Sequence, residues 1–354
     1  MSKTRVGVIG AGWWATTNHI PELKKRDDVE LVAVCRLGKD LLKRIQDEFG
    51  FAHATEDYRE LLALDLDAVV VSTPHYLHYE PTKAALLKGC HVMIEKPMTL
   101  DKDQAWELVD IAKQRGLHLL VPYGWHYKKF TQEAKRLLDE GLIGEVEYVL
   151  CHMASPLRDF LGGSGGTSEM PDQWKPSLSA PEPSTWQVKE HGGGYAHGQI
   201  THSSGMMFWL TGLRAAEVSC RMTAPNSRVD LYDAAAVVFE NGALGTVSGS
   251  ATVAAGQSYQ VDIRVFGTKG TLMLDVEGKR ERMVVNTYDG KSYTTDITPG
   301  EGDYDCFGPP HRFIELVRGL STVNQSPGEV GAKTVELITA MFRSANQGGV
   351  PVKV

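Results

Sequence analysis

The 354-residue chain is short of several features that would have assigned it quickly. It has no cluster of lysine and arginine: 37 basic residues stand against 44 acidic ones, for a net charge of -7. Nothing of that kind gathers the phosphates of a nucleic acid, so nucleic acid is not an expected partner. No apolar run approaches the roughly 18 residues that cross a bilayer, so no membrane is expected either. The start, MSKTRVGVIGAG, passes directly into a strand-like run without the apolar core of a secretory leader, and the expected location is cytoplasmic. The five cysteines (Cys35, Cys90, Cys151, Cys220, Cys306) are widely spaced and include no CxxC pair, which speaks for buried thiols rather than a disulfide framework or a thiolate zinc site. Internal repeats are absent too.

What is present reads as two domains. Over residues 1–123 short β-branched runs (RVGVIG, VELVAVC, DAVVVS, HVMIEKP, HLLVPYG) alternate with helical segments near 21–26, 39–49, 81–88 and 101–114. Near-continuous apolar strands separated by helices predict a parallel sheet covered on both faces, the doubly wound α/β arrangement of a Rossmann domain. Over 124–354 the pattern changes to a helix near 130–140, longer strands, a hairpin turn at Asn241-Gly242 and another at 268–270, with helices near 311–319 and 329–345. This predicts an α+β domain with an open, mainly antiparallel sheet for substrate binding and oligomerisation. An open sheet face wants a cover, so a homodimer or homotetramer is expected. A Gly/Ser/Pro-rich stretch over 156–190, holding Trp174 and Trp186, has the length of a lid or binding arm.

The most specific local motif is VGVIGAGWWA. Gly10, Gly12 and Ala15 follow a strand and precede a helix on the GxGxxA spacing, with Trp13 and Trp14 between them. The first glycine suits a tight turn, the second lets backbone approach a pyrophosphate, and the small third residue allows close packing. The second strand ends not on the acid that usually binds the ribose hydroxyls but on Arg36, with Lys39 behind it. A guanidinium pairs with a 2′-phosphate, so NADP is favoured, with NAD the alternative if Arg36 only stacks on adenine.

Three further stretches, STPHYLH (72–78), IEKPMTL (94–100) and GGGYAHGQITH (192–202), together with the late FGTKGTLMLD, resemble the Gfo/Idh/MocA oxidoreductases along nearly the whole chain. The resemblance implies that Lys96, flanked by Glu95 and Pro97, reaches both the nicotinamide end of the cofactor and the substrate hydroxyl. It implies also that Thr73, Pro74 and His78 line the cofactor, and that a cis peptide precedes Pro97. His202 matches the family's histidine and is the expected proton acceptor, because imidazole titrates near working pH.

The chain departs from the family in two places. PYGWHYKKF replaces the commoner glycine-histidine-asparagine-arginine pattern, putting His126 and Tyr127 where relatives present substrate contacts. Gly198 stands where the family has an aspartate. Tyr123, Tyr195, His197, Gln199 and Trp174 complete the expected substrate-binding set. No metal is expected, because His197 and His202 are poorly spaced for two ligands on one helix.

The expected function is NAD(P)-dependent oxidation or reduction of a secondary hydroxyl on a sugar, cyclitol or glycoside. Two other readings stay open: redox-neutral glycoside cleavage by transient oxidation, and a non-catalytic dinucleotide-binding regulator.

Overall fold

The computed structural model describes residues 2–164, 178–254, 256–257, 259–277 and 279–354. Trp174 lies outside the described residues. The chain divides into two compact units.

The first unit holds a six-stranded parallel sheet of β1 (Thr4–Ile9), β2 (Val29–Cys35), β3 (His53–Thr55), β4 (Ala68–Val71), β5 (His91–Ile94) and β6 (Leu119–Leu120), in the order β3-β2-β1-β4-β5-β6. Strand β4 is buried at all four positions, the signature of a sheet covered on both faces. The order reverses between β1 and β4, and in open α/β sheets ligands bind beyond the carboxyl ends of strands at such a point. The helix Lys39–Phe49 is bounded by Gly38 and Gly50, both with positive φ. Unlike the division expected at residue 123, this unit also takes in Cys306–Ala332. Its helix Gly308–Val317 places Phe313, Ile314 and Leu316 in the same core as Val8, Ile20 and Val70, and that shared burial decides its membership.

The second unit is built on a nine-stranded sheet: β7 (Val146–Ala154), β8 (Ala215–Thr223), β9 (Tyr232–Phe239), β10 (Leu244–Ser250), β11 (Gln260–Gly267), β12 (Gly270–Asp275), β13 (Arg282–Thr287), β14 (Ser292–Thr294) and β15 (Val352–Lys353). Their order is β14-β13-β12-β11-β7-β10-β9-β8-β15. All pairs are antiparallel except β7 with β10. The hairpin at Asn241-Gly242 joins β9 to β10, with Gly242 at φ 87°. Burial alternates along β9 and β11, so one face meets the core while the other carries partly exposed side chains such as Tyr148 and Phe266. The helix Thr201–Thr211 is buried from Thr201 to Leu210, including the polar Thr201, His202, Ser203 and Ser204.

Candidate functional site

At the end of β1 the chain turns through Gly10 at φ 86°. A Cβ there would lie 2.3 Å from the Thr73 backbone nitrogen and 2.6 Å from the Ser72 oxygen, so only glycine lets the loop after β4 pass so close. Gly12 differs: among the described residues, its chain neighbours aside, the one heavy atom within 4 Å of its Cβ position is the Gly10 oxygen at 4.0 Å. Backbone uncrowded by the described residues at the reversal point of the sheet fits the pyrophosphate of a dinucleotide. Ala15 is fully buried, and Trp13 and Trp14 meet edge to face at 5.2 Å. The next helix opens as a π turn over Ala15–His19 and continues as Ile20–Lys24.

Arg36 is half-buried above this loop, its Nη1 donating to the Ala11 carbonyl at 3.4 Å and its Nε to the Leu37 carbonyl at 2.9 Å. Lys39 is exposed at the start of its helix. The neighbouring Gly38 N–H donates to Glu56 at 2.7 Å, which brings a carboxylate to the same rim.

Beyond β5, Glu95 and Lys96 are buried, 7% and 6% exposed. The Glu95 carboxylate is fixed from both sides: Nε2 of His19 lies 2.5 Å from Oε1, and the Lys96 backbone N–H donates to Oε2 at 3.0 Å. Burial pulls the Lys96 ammonium below its ordinary pKa, and the Glu95 charge resists that fall. Burial works the other way on Glu95, but the His19 hydrogen bond and the Lys96 charge leave it below the usual carboxylate range. The Lys96-Pro97 peptide is cis, as the family resemblance implies.

His78, fully buried, fastens two loops together: Nδ1 lies 2.7 Å from the Pro97 carbonyl and Nε2 2.8 Å from the Thr73 carbonyl. Burial holds its pKa down. His78 thus ties the Thr73-Pro74 loop to the Lys96-Pro97 turn.

In the second unit, His202 is 6% exposed within three aromatic rings, Tyr304 at 5.0 Å, Trp125 at 5.8 Å and Tyr123 at 6.1 Å, all edge to face. The Trp125 indole N–H donates to the Gly302 carbonyl at 2.9 Å, which fixes one wall of this enclosure. Tyr123 packs against Gly205, whose missing Cβ would sit 3.0 Å from the ring.

Of the other expected substrate contacts, the His126 ring lies 5.1 Å from that of Tyr123, while Tyr195 and His197 have neighbours of their own. His126 is buried and stacked on Trp209 at 4.6 Å, and Tyr127 is partly buried. Tyr195 is completely enclosed, its hydroxyl 3.0 Å from Ser155 Oγ and donating to the Met153 carbonyl at 3.3 Å. His197 stacks on Phe342 at 4.9 Å, where burial pushes its pKa down to about 4. His197 and His202 therefore face different neighbours. Gln199 is partly buried. Among the described residues no group of three or more His, Cys, Asp and Glu side chains is placed to hold a metal ion.

Two residues beyond those expected from sequence now enter, His19 and Tyr304, together with Trp186 of the stretch over 156–190. His19 lies in a polar run, TTNH, just after the glycine loop, and such a run inside a covered helix was the available signal. Tyr304 carries no local motif. Trp186 places its indole at Gly198, with Cζ3 3.4 Å from the Cβ position, where the family has its aspartate.

Two family models match the chain: the oxidoreductase family with NAD-binding Rossmann fold over residues 4–123, and the GFO/IDH/MocA C-terminal domain over 131–273. The chain belongs to the Gfo/Idh/MocA oxidoreductase family. It is 36% identical over 146 residues to D-glucoside 3-dehydrogenase of Escherichia coli (strain K12), a match spanning 41% of this chain and 42% of that protein. It is 23% identical to levoglucosan dehydrogenase of Pseudarthrobacter phenanthrenivorans, over 99% of this chain and 91% of that protein. A solved levoglucosan dehydrogenase in complex with NADH and L-sorbose superposes with TM-score 0.78 at 20% identity, covering 100% of this chain and 99% of that one, and shares the fold. In three curated relatives the matched segment spans between 42% and 51% of the relative's own length.

Proposed function

We propose that this protein is a dehydrogenase that uses NADP in preference to NAD and acts on a secondary hydroxyl of a sugar, cyclitol or glycoside. The observation that carries the proposal is the buried His19, Glu95 and Lys96 arrangement at the end of β5, beside a glycine loop open to a pyrophosphate. A buried lysine beside a fixed carboxylate suits an oxygen that gains negative charge during reaction. When bound, the nicotinamide supplies the hydride acceptor.

The chain's own residues do the rest. Lys96 holds the hydroxyl oxygen and stabilises the developing alkoxide, while the His202 imidazole accepts the hydroxyl proton. The Glu95 charge resists the burial-driven fall of the Lys96 pKa, and the rings around His202 enclose it. Thr73, Pro74 and the glycine loop hold the dinucleotide, and Arg36 with Lys39 favours a 2′-phosphate. Support for a carbohydrate substrate comes from the glucoside and levoglucosan dehydrogenases to which the chain is similar. The five buried free cysteines suit a reducing compartment such as the cytosol. No helix among the described residues is long and apolar enough to cross a membrane. The partly exposed face of the nine-stranded sheet, with Tyr148 and Phe266 5.8 Å apart, is the surface on which a second copy would pack.

The test is a panel of sugars, cyclitols and glycosides offered with NAD and NADP in parallel, following the reduced cofactor by absorbance. Turnover is expected, with Lys96→Met and His202→Asn each lowering kcat by about 100-fold or more. No reduced cofactor with any member would overturn the reading. Aglycone release without reduced cofactor would transfer the chain to redox-neutral glycoside cleavage.

A further inference from the structure

The second unit has a cavity of about 190 Å³ between the short helical turn Lys189–His191, the end of β8 at Met222, the residues Arg228 and Asp230 ahead of β9, and the last turn of the helix Gly328–Asn346 at Phe342 and Asn346. None of the rings around His202 lines it. Two cations do. The Lys189 ammonium lies 5.7 Å from the centroid of the Phe342 ring and donates to Asn346 Oδ1 at 3.4 Å, which leaves further N–H donors on that nitrogen. Arg228 stands on a pinned turn: the Ser227 N–H donates to the Ala224 carbonyl at 3.2 Å, and the Val229 N–H to Ser227 Oγ at 3.1 Å. Among the described residues the Arg228 guanidinium has no carboxylate partner, and both cations are exposed. The acid in the lining, Asp230, is buried and already accepts the Ala196 N–H at 2.7 Å.

We propose that this cavity is a second ligand site, one that binds a small phosphate monoester. Near neutral pH such an ester carries close to two negative charges, which an ammonium and a guanidinium together match better than they match a single carboxylate. The guanidinium fork takes two phosphate oxygens, and the ammonium takes the remaining one. Met222 and Phe342 give the carbon body of the ester an apolar wall, which bare phosphate cannot use. Volume sets the size: clefts for drug-sized ligands run from about 300 to 1,000 Å³, so this smaller cavity suits a triose or hexose phosphate and not a dinucleotide. Phe342 also stacks on the His197 ring at 4.9 Å, so a ligand held against Phe342 is felt at the π turn Ala196–Ile200. The site requires neither hydride transfer nor a bound dinucleotide and stands apart from the dehydrogenase reading.

The experiment is isothermal titration calorimetry of the full-length protein at low salt with glycerol 3-phosphate, glucose 6-phosphate and inorganic phosphate, beside an NMR titration that follows the His197 imidazole. At least one ester is expected to bind, more tightly than inorganic phosphate, and to move the His197 signals. Arg228→Ala and Lys189→Ala, both changes of exposed side chains, should melt like the wild type and each weaken the ester about 10-fold or more, the equivalent of a hydrogen bond to a charged group. Arg228→Lys keeps the charge and loses the fork, so its Kd should fall between those of the wild type and Arg228→Ala. Binding of neither ester would overturn the site. So would an ester that binds both alanine variants as tightly as the wild type, inorganic phosphate that matches the esters, or a bound ester that leaves His197 unmoved. Since no step is read through turnover, a protein inactive on every carbohydrate would leave these outcomes unchanged.

Discussion

Nε2 of His19 lies 2.5 Å from Oε1 of Glu95, and the other oxygen of that carboxylate holds the backbone of Lys96. The helix after the glycine loop and the turn after β5 are thereby joined at one buried acid. Glu95→Gln removes the charge that resists the burial-driven fall of the Lys96 pKa. The ammonium is then lost at lower pH, so the alkaline limb of the kcat/KM profile should move to lower pH. The change should also cost about 1.5–3 kcal/mol of stability, the range for a buried charge-assisted hydrogen bond. A pH-rate profile with an unmoved alkaline limb would mean that Glu95 only supports the fold.

The pattern of residues foretold much of this architecture, and its failures have physical causes. Near-continuous apolar runs such as VELVAVC and DAVVVS mark strands buried on both faces, and Asn241-Gly242 marks a hairpin because both its residues tolerate positive φ. Strand β3, at three residues, is too short to carry a period, and the residues before Pro21 fold as a π turn that breaks helical spacing. Nothing in the helix Gly308–Val317 says which core its apolar face will join; tertiary packing decides that. Motifs singled out Gly10, Lys96 and His202 as candidates. Trp186 was legible only as part of the lid-length stretch over 156–190, and Tyr304 not at all, because both reach the helix of His202 through tertiary contacts that leave no local spacing behind.

Arg36 tests the cofactor reading. Its guanidinium spans the Ala11 and Leu37 carbonyls at the rim of the glycine loop, where a 2′-phosphate would add a charge-assisted bond. Arg36→Ala should lower kcat/KM for NADP by about 10- to 100-fold, the equivalent of a hydrogen bond to a charged group, while NAD changes little. Glu56, hydrogen-bonded to Gly38 on the same rim, opposes a dianion, so Glu56→Gln should favour NADP further. Equal losses for both dinucleotides in Arg36→Ala would show that the side chain serves adenine alone.

Gly10 and Gly12 should fail in different ways. A methyl at Gly10 meets the Thr73 backbone at 2.3 Å in a positive-φ turn, so Gly10→Ala should lower the melting temperature and weaken dinucleotide binding together. Among the described residues beyond its neighbours, a methyl at Gly12 meets just an oxygen at 4.0 Å, so Gly12→Ala should melt like the wild type yet bind NAD and NADP weakly. Thermal melts beside fluorescence titrations separate the two. Normal affinity in Gly12→Ala would remove the pyrophosphate from this loop.

Asp230 and Asp233 form a buried pair, 7% and 3% exposed, at the start of the segment that carries His197 and His202. Burial raises the pKa of Asp230, and the Ala196 N–H, which donates to its Oδ2 at 2.7 Å, resists that rise. Burial raises the pKa of Asp233 well above its ordinary value, and the Asp230 charge raises it further. An acid whose pKa is higher folded than unfolded contributes stability that is complete below the ordinary aspartate range, near ~3.9, and is lost as pH rises through the folded value. The wild type should therefore lose stability as pH climbs above that range. Asp233→Asn, neutral at every pH and still able to donate to Asp230, should flatten the loss. Asp233→Ala, which leaves Asp230 without that donor, should be less stable than the wild type by about 1–3 kcal/mol at mildly acidic pH. Urea denaturation of the three proteins across pH reads the slopes directly, and parallel profiles for wild type and Asp233→Asn would show that Asp233 is ionised in the folded protein.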